Sequence, residues 1–595
     1  MPLNQATSFS RNNLNRIAAS VTFPRLTRAL GLALVVGLVG SGTLRGQSVV
    51  APGDEARTLP AGVFRVSVAD SNSHYSELYG PGGTPVPLLS GLSVDSLGVR
   101  QLPRLGPAQT AIQSLSGLSN FSLSLGNTIV TSSVRVQTIP ISFEAGITKW
   151  LTVRAMVPIV NTRTDIFANI NPSRFEGNVG LNPTLSTATN GTAATALAAD
   201  AAVVNQFNRA SNTLKQALAS CRSAPSGAGC PTIIADSAAV RSLINQASAF
   251  ASGVSSVYGG PSGTGSQVVP ITGTNAQHLI NAKDSSLTSQ INALYKDVGL
   301  TSLTTLIPAA APSRAGLNDL QSLVTQSTYG YGYDSLQTVT HTGLGDAEVS
   351  ATVRLYDTFA ADSDRFHPHG LNVRTAVTGL VRIGTGKPAD PNSLTDVGTG
   401  TGENALELHS ATDVLYGTHW WASIIVRGTY QLSDHLTTRI PDAVGQSLIP
   451  SYAETTVGRT LGNALQFEFD PRYIINGYFS ITGAYLYYHK AADKYTGTLT
   501  VDSSVTGIGT EKLNASTLAI GTGGSFQRLG FGLTFSTLDA ASRGRIRIPV
   551  DISYLHSTTF GGTGGYLPIT TDDAVVIRLY LRLFGSSAKD QRAAW

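Results

Sequence analysis

Strict two-residue alternation constrains this chain more than any other feature. In Val575 to Phe584 (VVIRLYLRLF), Ile577, Leu579, Leu581 and Leu583 fall on one face of an extended strand, and Arg578, Tyr580 and Arg582 on the other. The same rhythm runs through Ala347 to Leu355, Leu371 to Arg382 and Ala422 to Tyr430. An apolar face backed by one that carries arginine fits a strand with lipid on one side and a polar lumen on the other. Breaking the chain at clusters of Gly, Pro, Asn and Asp yields about twelve long strands. They begin near Gly62, Thr128, Trp150, Gly343, His369, Asn404, His419, Asn463, Tyr478, Ser525, Ile546 and Ala574. The expected fold class is an all-β transmembrane antiparallel β-barrel of about 12 strands with a largely α-helical insertion, and an even count returns both ends to the same side.

The connections support that reading, because alternate ones are short. Thr148-Lys149, Gly417-Thr418 and Asn476-Gly477 are hairpin turns, expected to face the periplasm, whereas the intervening loops are long and face outward. The 61 glycines and the 13% of charged residues suit turn-rich β structure. A net charge of +4, dispersed along the chain, gives no nucleic-acid footprint.

Residues 1 to 53 contain no Asp or Glu, carry Arg11, Arg16, Arg25 and Arg28, and lead into the apolar run Ala29 to Val39. This run is shorter than the ~20 residues of a membrane anchor, so residues 1–46 read as a secretory signal cleaved near Gly46 or Gln47. Export places the protein in the outer membrane of a Gram-negative envelope. The expected division is then 47–162 for the first barrel strands and a loop, 163–342 for an Ala/Ser-rich helical insertion in an outward loop, 343–584 for the remaining strands, and 585–595 for a tail. From about Leu181 to Leu323 the strand rhythm vanishes. Helices are expected there near Thr195 to Ala219, Ala235 to Ala251, Asn275 to Tyr295 and Arg314 to Thr325. A flexible decoration and a packed cap both fit this composition. Cys221 and Cys230 read as a short-loop disulfide in an exported protein.

Several short pieces resemble a known family. Glu144 to Lys149 (EAGITK), Val157-Pro158, Gly343 to Asp346 (GLGD), Arg382 to Pro388 (RIGTGKP), Asp396 to Gly402 (DVGTGTG) with Leu406 to Leu408, and Asp470 to Tyr473 are similar to outer-membrane transporters of the phenol-degradation meta-pathway type. The resemblance covers about half of the chain. It implies a barrel that passes small hydrophobic or aromatic molecules. The insertion departs from the family pattern, which weakens any transfer of solute.

Strand parity assigns side chains to faces. With Leu151, Val153, Ala155 and Val157 towards lipid, the residues expected to line the lumen are Arg154, Glu348, Arg354, Arg374, Arg382, Arg427, Glu468, Arg472, Arg578 and Arg582. Such an interior is either a mildly cationic channel or an Arg-carboxylate network that fills the barrel. Trp420, Trp421, Tyr473, Tyr478, Tyr485 and Tyr487, with Phe479 and Tyr488, read as an interfacial aromatic girdle. The glycines of RIGTGKP and GTGTG are loop glycines rather than a phosphate loop, since Pro388 follows Lys387 and neither stretch opens a helix. His367 and His369 with Asp362 and Asp364 read as a solvated turn, not a metal site. With no G-x-S-x-G elbow, the pairs His409 with Ser410 and Ser553 with His556 follow no hydrolase pattern.

The leading expectation is an outer-membrane channel or uptake protein for passive passage of small molecules, not an enzyme and using no cofactor. Its expected partners are outer-membrane lipid, a small-molecule solute and the barrel assembly machinery, with no nucleic acid and the oligomeric state open. Two other readings stand beside it: a non-conducting surface-binding protein anchored by its barrel, and a barrel hydrolase.

Overall fold

The computed structural model describes residues 55–172, 177–186, 191–261, 263, 265–358, 367, 369–444, 446–506, 509–542 and 544–582. The expected export signal, Asp362, Asp364 and the C-terminal tail lie outside the described residues.

Twelve antiparallel strands form a closed circuit: β1 Val63–Tyr75, β2 Thr128–Thr148, β3 Leu151–Ile170, β4 Ala347–Asp357, β5 Leu371–Ile383, β6 Ala405–Tyr416, β7 Trp420–Gln431, β8 Ala464–Ile474, β9 Phe479–Lys490, β10 Gly524–Ser536, β11 Val550–Gly562 and β12 Thr571–Arg582. Each pairs with its neighbours in sequence, and β12 closes onto β1 through Val63 opposite Arg582. Closure leaves no strand edge unpaired, the condition for crossing a bilayer with strands. A short strand, Val339–Leu344, extends the circuit beside the outer half of β3.

The outward face carries exposed Val153, Val157, Leu408, Leu465, Phe531 and Ile577 around the circumference. Apolar area of that kind on every side is stable only against lipid. The short turns gather at one end. There Asn476 Oδ1 accepts from the backbone N–H groups of Tyr478 and Phe479 at 2.8 and 3.0 Å, closing the β8–β9 hairpin.

At the opposite end the long connections share one apolar core. Helices α1 Gly106–Ser116, α2 Thr192–Ser223, α3 Cys230–Ala235, α4 Ser237–Val257, α5 Asn275–Asp297 and α6 Leu317–Thr325 contribute to it. So do Val130 and Ile170 at the strand ends and Leu448 from the β7–β8 loop. The insertion is therefore a packed cap. In α2 and α4, apolar residues at helical spacing face each other, with the rings of Phe207 and Phe250 edge to face at 4.9 Å. Burying each ring contributes about 2 kcal/mol. Cys221 and Cys230 are joined by a disulfide between α2 and α3. Arg439 fastens the cap to the loops. It donates to the carbonyls of Tyr331, Gly332 and Ile449 at 2.8, 2.6 and 2.8 Å and lies 3.9 Å over the Tyr333 ring.

The glycine-rich pieces converge on one carboxylate. Asp346 accepts from the backbone N–H groups of Gly386 at 2.9 Å, Thr401 at 2.8 Å and Gly402 at 3.3 Å. A side chain at Gly386 or Gly400 would collide with Asp346 Oδ1, at 2.8 and 2.9 Å from the added carbon. These amides serve a fixed loop junction, so glycine here answers a close approach.

Candidate functional site: the charged lumen

At one level of the lumen, inward-facing positions on eight consecutive strands each contribute one charge, alternating in sign. They are Arg65 on β1, Glu144 on β2, Arg154 on β3, Glu348 on β4, Arg382 on β5, Glu407 on β6, Arg427 on β7 and Glu468 on β8. Arg65 meets Glu144 at 2.6 Å, and Arg154 lies 4.0 Å from the same carboxylate. Arg382 meets Glu348 at 2.8 Å and Glu407 at 3.6 Å. Arg427 meets Glu407 at 2.9 Å and Glu468 at 4.0 Å, and His409 Nδ1 is 3.3 Å from Glu407. The belt holds four arginines and four glutamates, so its formal charge cancels. Buried guanidinium groups demand such pairing, because an isolated charge in a low-dielectric interior is strongly disfavoured.

A second layer lies nearer the short turns. Arg374 donates through Nε and Nη2 to Asp413 at 3.1 and 2.7 Å, and Ser423 donates to the other oxygen at 2.7 Å. Arg374 and Arg472 lie 5.5 and 4.9 Å from the centre of the Trp421 ring. On the far wall the Tyr580 hydroxyl donates to Asp551 at 2.6 Å.

This layer receives the segment that precedes β1. The Ala56 N–H donates to Asp413 Oδ2 at 3.1 Å, the Leu59 N–H to Thr152 Oγ1 at 2.8 Å, and the Gly62 N–H to the Gly146 carbonyl at 3.0 Å. Ala56 packs against Ala376, Ala411 and Ile425 of three different strands. The Glu55 carboxylate sits among Arg374, Arg57, Arg472 and Arg65. Residues 55–62 thus form a floor inside the barrel. Above it a cavity of about 340 Å³ remains, lined by Glu55, Arg57, Arg65, Glu144, Arg427 and Arg578 among others. At ~30 Å³ per molecule it holds roughly ten waters.

Of the residues expected in the lumen, Arg154, Glu348, Arg427, Glu468 and Arg578 line this cavity. Arg382 joins the belt, while Arg374 and Arg472 belong to the second layer. Arg354 is turned to Asp357 at 2.8 Å, and Arg582 is partly buried at the end of β12. Sequence reading passed over Arg65, Glu144 and Glu407. Each occupies the polar parity of its strand, and that was the available signal.

The girdle needs correction. Trp420, at 62% exposure, and Tyr473 point to lipid with ring centres 5.0 Å apart, and Tyr485 and Tyr487 share the outward face with Phe469 and Phe467. Trp421, at 3%, is buried against Arg374 and Arg472, and Tyr488 faces inward opposite Phe526. Adjacent strand residues point to opposite faces, so neither Trp420 and Trp421 nor Tyr487 and Tyr488 can both reach lipid. The same parity separates the hydrolase pairs. His409 faces Glu407 while Ser410 points away, and Ser553 accepts from Thr534 inside the wall while His556 meets Asp573 outside it at 2.9 Å.

A closed circuit of strands, an apolar exterior and a charged interior settle the class. The chain is a twelve-stranded β-barrel of the outer-membrane kind. No protein-family model matches it, and no curated protein does. Among solved structures it is similar to an outer membrane channel from Pseudomonas putida F1, with 10% identity over 90% of this chain and 100% of that one and a TM-score of 0.36. It is also similar to the Pseudomonas putida toluene transporter TodX, with 8% identity over 92% and 99% of the two chains and a TM-score of 0.23. A third is a Pseudomonas aeruginosa FadL homologue, with 8% identity over 91% and 96% and a TM-score of 0.22. The fold of this barrel rests on its own closed strand circuit.

Proposed function

We propose that the barrel is an outer-membrane channel for passive passage of small molecules, with residues 55–62 as a movable floor. The observation that carries this reading is the charge-lined cavity of about 340 Å³ above the floor. A barrel serving only as an anchor could close its interior with packed side chains, without leaving a charge-lined space. The walls favour small, water-carried polar solutes. A hydrocarbon on the axial path would strip water from the Arg-Glu belt without replacing its hydrogen bonds, which argues against the purely hydrophobic solutes that the family resemblance implies. The aromatic residues at the ends of the outward face would seat the barrel at the two headgroup layers.

The test is conductance in a planar bilayer of the full chain and of a variant carrying Ala56→Cys and Ala411→Cys. The two native cysteines are bonded to each other, so an engineered pair can lock the floor without competing thiols. Discrete openings are expected from the wild type, with or without reductant, and from the variant only after reduction. Silence from folded, unlocked protein would overturn the channel reading. It would favour the second reading, a surface-binding protein anchored by its barrel, to which the packed cap lends support.

A further inference from the structure

Strands β2 and β3 are 21 and 20 residues long, far beyond the 11 to 13 of the other barrel strands. Their outward faces are stratified. Nearest the short turns the face is apolar, and Val68, Ile141 and Val157 form one ladder row with exposures of 42%, 44% and 43%. The apolar positions Ile147 to Ile139 span about 20 Å along the barrel axis, at ~3.3 Å per residue and a tilt of about 40°. Next comes a row of amides: Asn72, Gln137 and Asn161 stand side by side, with Thr342 beyond. Two residues further out comes a basic row, His74, Arg135 and Arg163, with Thr340 beyond. All three basic side chains are exposed.

The basic row is electrostatically incomplete. Arg135 and Arg163 are directly opposed in the ladder, with Cβ atoms about 5 Å apart, where like charges repel. Asp165 takes Arg163 through Nε and Nη2 at 2.9 and 2.7 Å. Arg135 makes no hydrogen bond and no ion pair within 4 Å among the described residues; Asp165, held by Arg163, is the carboxylate whose charge reaches it, so two guanidinium groups share one acid. The other carboxylates of this face are engaged. Asp70 accepts from Asn72 and Gln137 at 3.0 and 2.9 Å, and Asp573 from Tyr554 at 2.6 Å with His556 beside it.

We infer that this face is a docking site for a phosphorylated lipid of the outward leaflet. Acyl chains would lie along the apolar rows, the polar linkages against Asn72, Gln137 and Asn161, and a phosphate between Arg135 and Arg163, where it relieves their repulsion. The order of the rows, apolar then amide then basic, matches the order of groups along such a lipid. The fit does not depend on the channel reading, because it uses only the outside of the barrel.

The test uses the full chain, refolded in detergent and incubated with diphosphoryl lipid A, then gel-filtered and examined by native mass spectrometry. The wild type and the control Arg545→Ala/Arg547→Ala are expected to retain the lipid. Retention is expected to fall several-fold in Arg135→Ala and at least ten-fold in Arg135→Ala/Arg163→Ala, with the heat-dependent gel shift of a folded barrel intact in each. Arg135→Ala removes no hydrogen bond among the described residues, and the unchanged gel mobility of the folded barrel separates lost binding from misfolding. Equal retention of dephosphorylated lipid A, undiminished retention by the double variant, or displacement by inorganic phosphate at the concentration of the lipid would each overturn the assignment.

Discussion

Glu407 holds the middle of the lumen belt, with Arg427 at 2.9 Å, Arg382 at 3.6 Å and the Thr429 hydroxyl donating to it at 3.2 Å. Glu407→Gln keeps the shape and removes the charge, leaving Arg427 with Glu468 at 4.0 Å as its nearest carboxylate in the belt. Breaking one partner of a buried pair costs about 3 kcal/mol, so the urea midpoint of the detergent-folded protein should fall. The belt then carries one excess positive charge, and the reversal potential in a salt gradient should move towards anions. In the cap, burial pushes the carboxyl of Asp200 up to about 7 and that of Asp284 up to about 6, from an ordinary 3.8. Asp200 Oδ1 accepts from the Ala309 N–H at 2.7 Å, and its other oxygen is buried without a partner. The folded cap holds these protons more tightly than the unfolded chain does. The stability they contribute is complete below an ordinary carboxyl value of 3.8 and is lost as pH rises through 6 to 7. The thermal midpoint of the cap, followed by its helical signal, should therefore fall between about pH 4 and about pH 7 and level off above that, and Asp200→Asn should flatten the fall.

The floor is held against the barrel by close backbone contact at Gly146 of β2. A side chain there would place its first carbon 2.1 Å from the Pro60 carbonyl oxygen and 2.7 Å from that of Leu59. Gly146→Val cannot share the lumen with the floor in its present position, and it should raise the open fraction in bilayer recordings while the barrel keeps its heat-dependent gel shift. An unchanged open fraction would mean that the floor does not limit passage. The barrel strands were legible in the sequence because each repeats one alternation over eleven or more residues, and that parity accounts for the inward arginines of the strands, Arg65 among them although it was passed over, but not for Arg57 of the floor. Four of the cap helices were legible where the strand rhythm gives way to Ala-rich sequence, but α1 Gly106–Ser116 and the six-residue α3 Cys230–Ala235 were not, being short and set between turn residues. The floor was not. It has no period, and its anchor joins residues 357 positions apart, Ala56 and Asp413, a distance no local pattern encodes. Trp421 and Tyr488 went astray when aromatic clustering was allowed to outweigh parity, whereas strand geometry permits one of two neighbours on a face.

The molecule is layered along the barrel axis: short turns and floor, a lumen with a charge-balanced belt, then a cap that shares one core with the long loops. Membership of that core decides what the insertion is for structurally. Leu97, Leu102, Leu105 and Ile112, all in the connection between β1 and β2, are almost fully buried within it alongside Val203, Phe207 and Phe250 of the insertion. Leu115 lies so close to α4 that a side chain on Gly253 would sit 2.9 Å from its Cδ1. Removing residues 181–323 therefore takes away one half of a shared interior. A loosely attached decoration would leave the rest untouched on deletion. Here the truncated protein should keep the closed barrel, whose ladder does not involve the insertion, but expose the β1–β2 connection. Limited proteolysis should cut between Ser90 and Gly126 in the truncated protein under conditions where the full chain is resistant, and the truncated form should associate through the uncovered leucines. Equal resistance of both proteins in that stretch would show that the β1–β2 connection is stable without the cap.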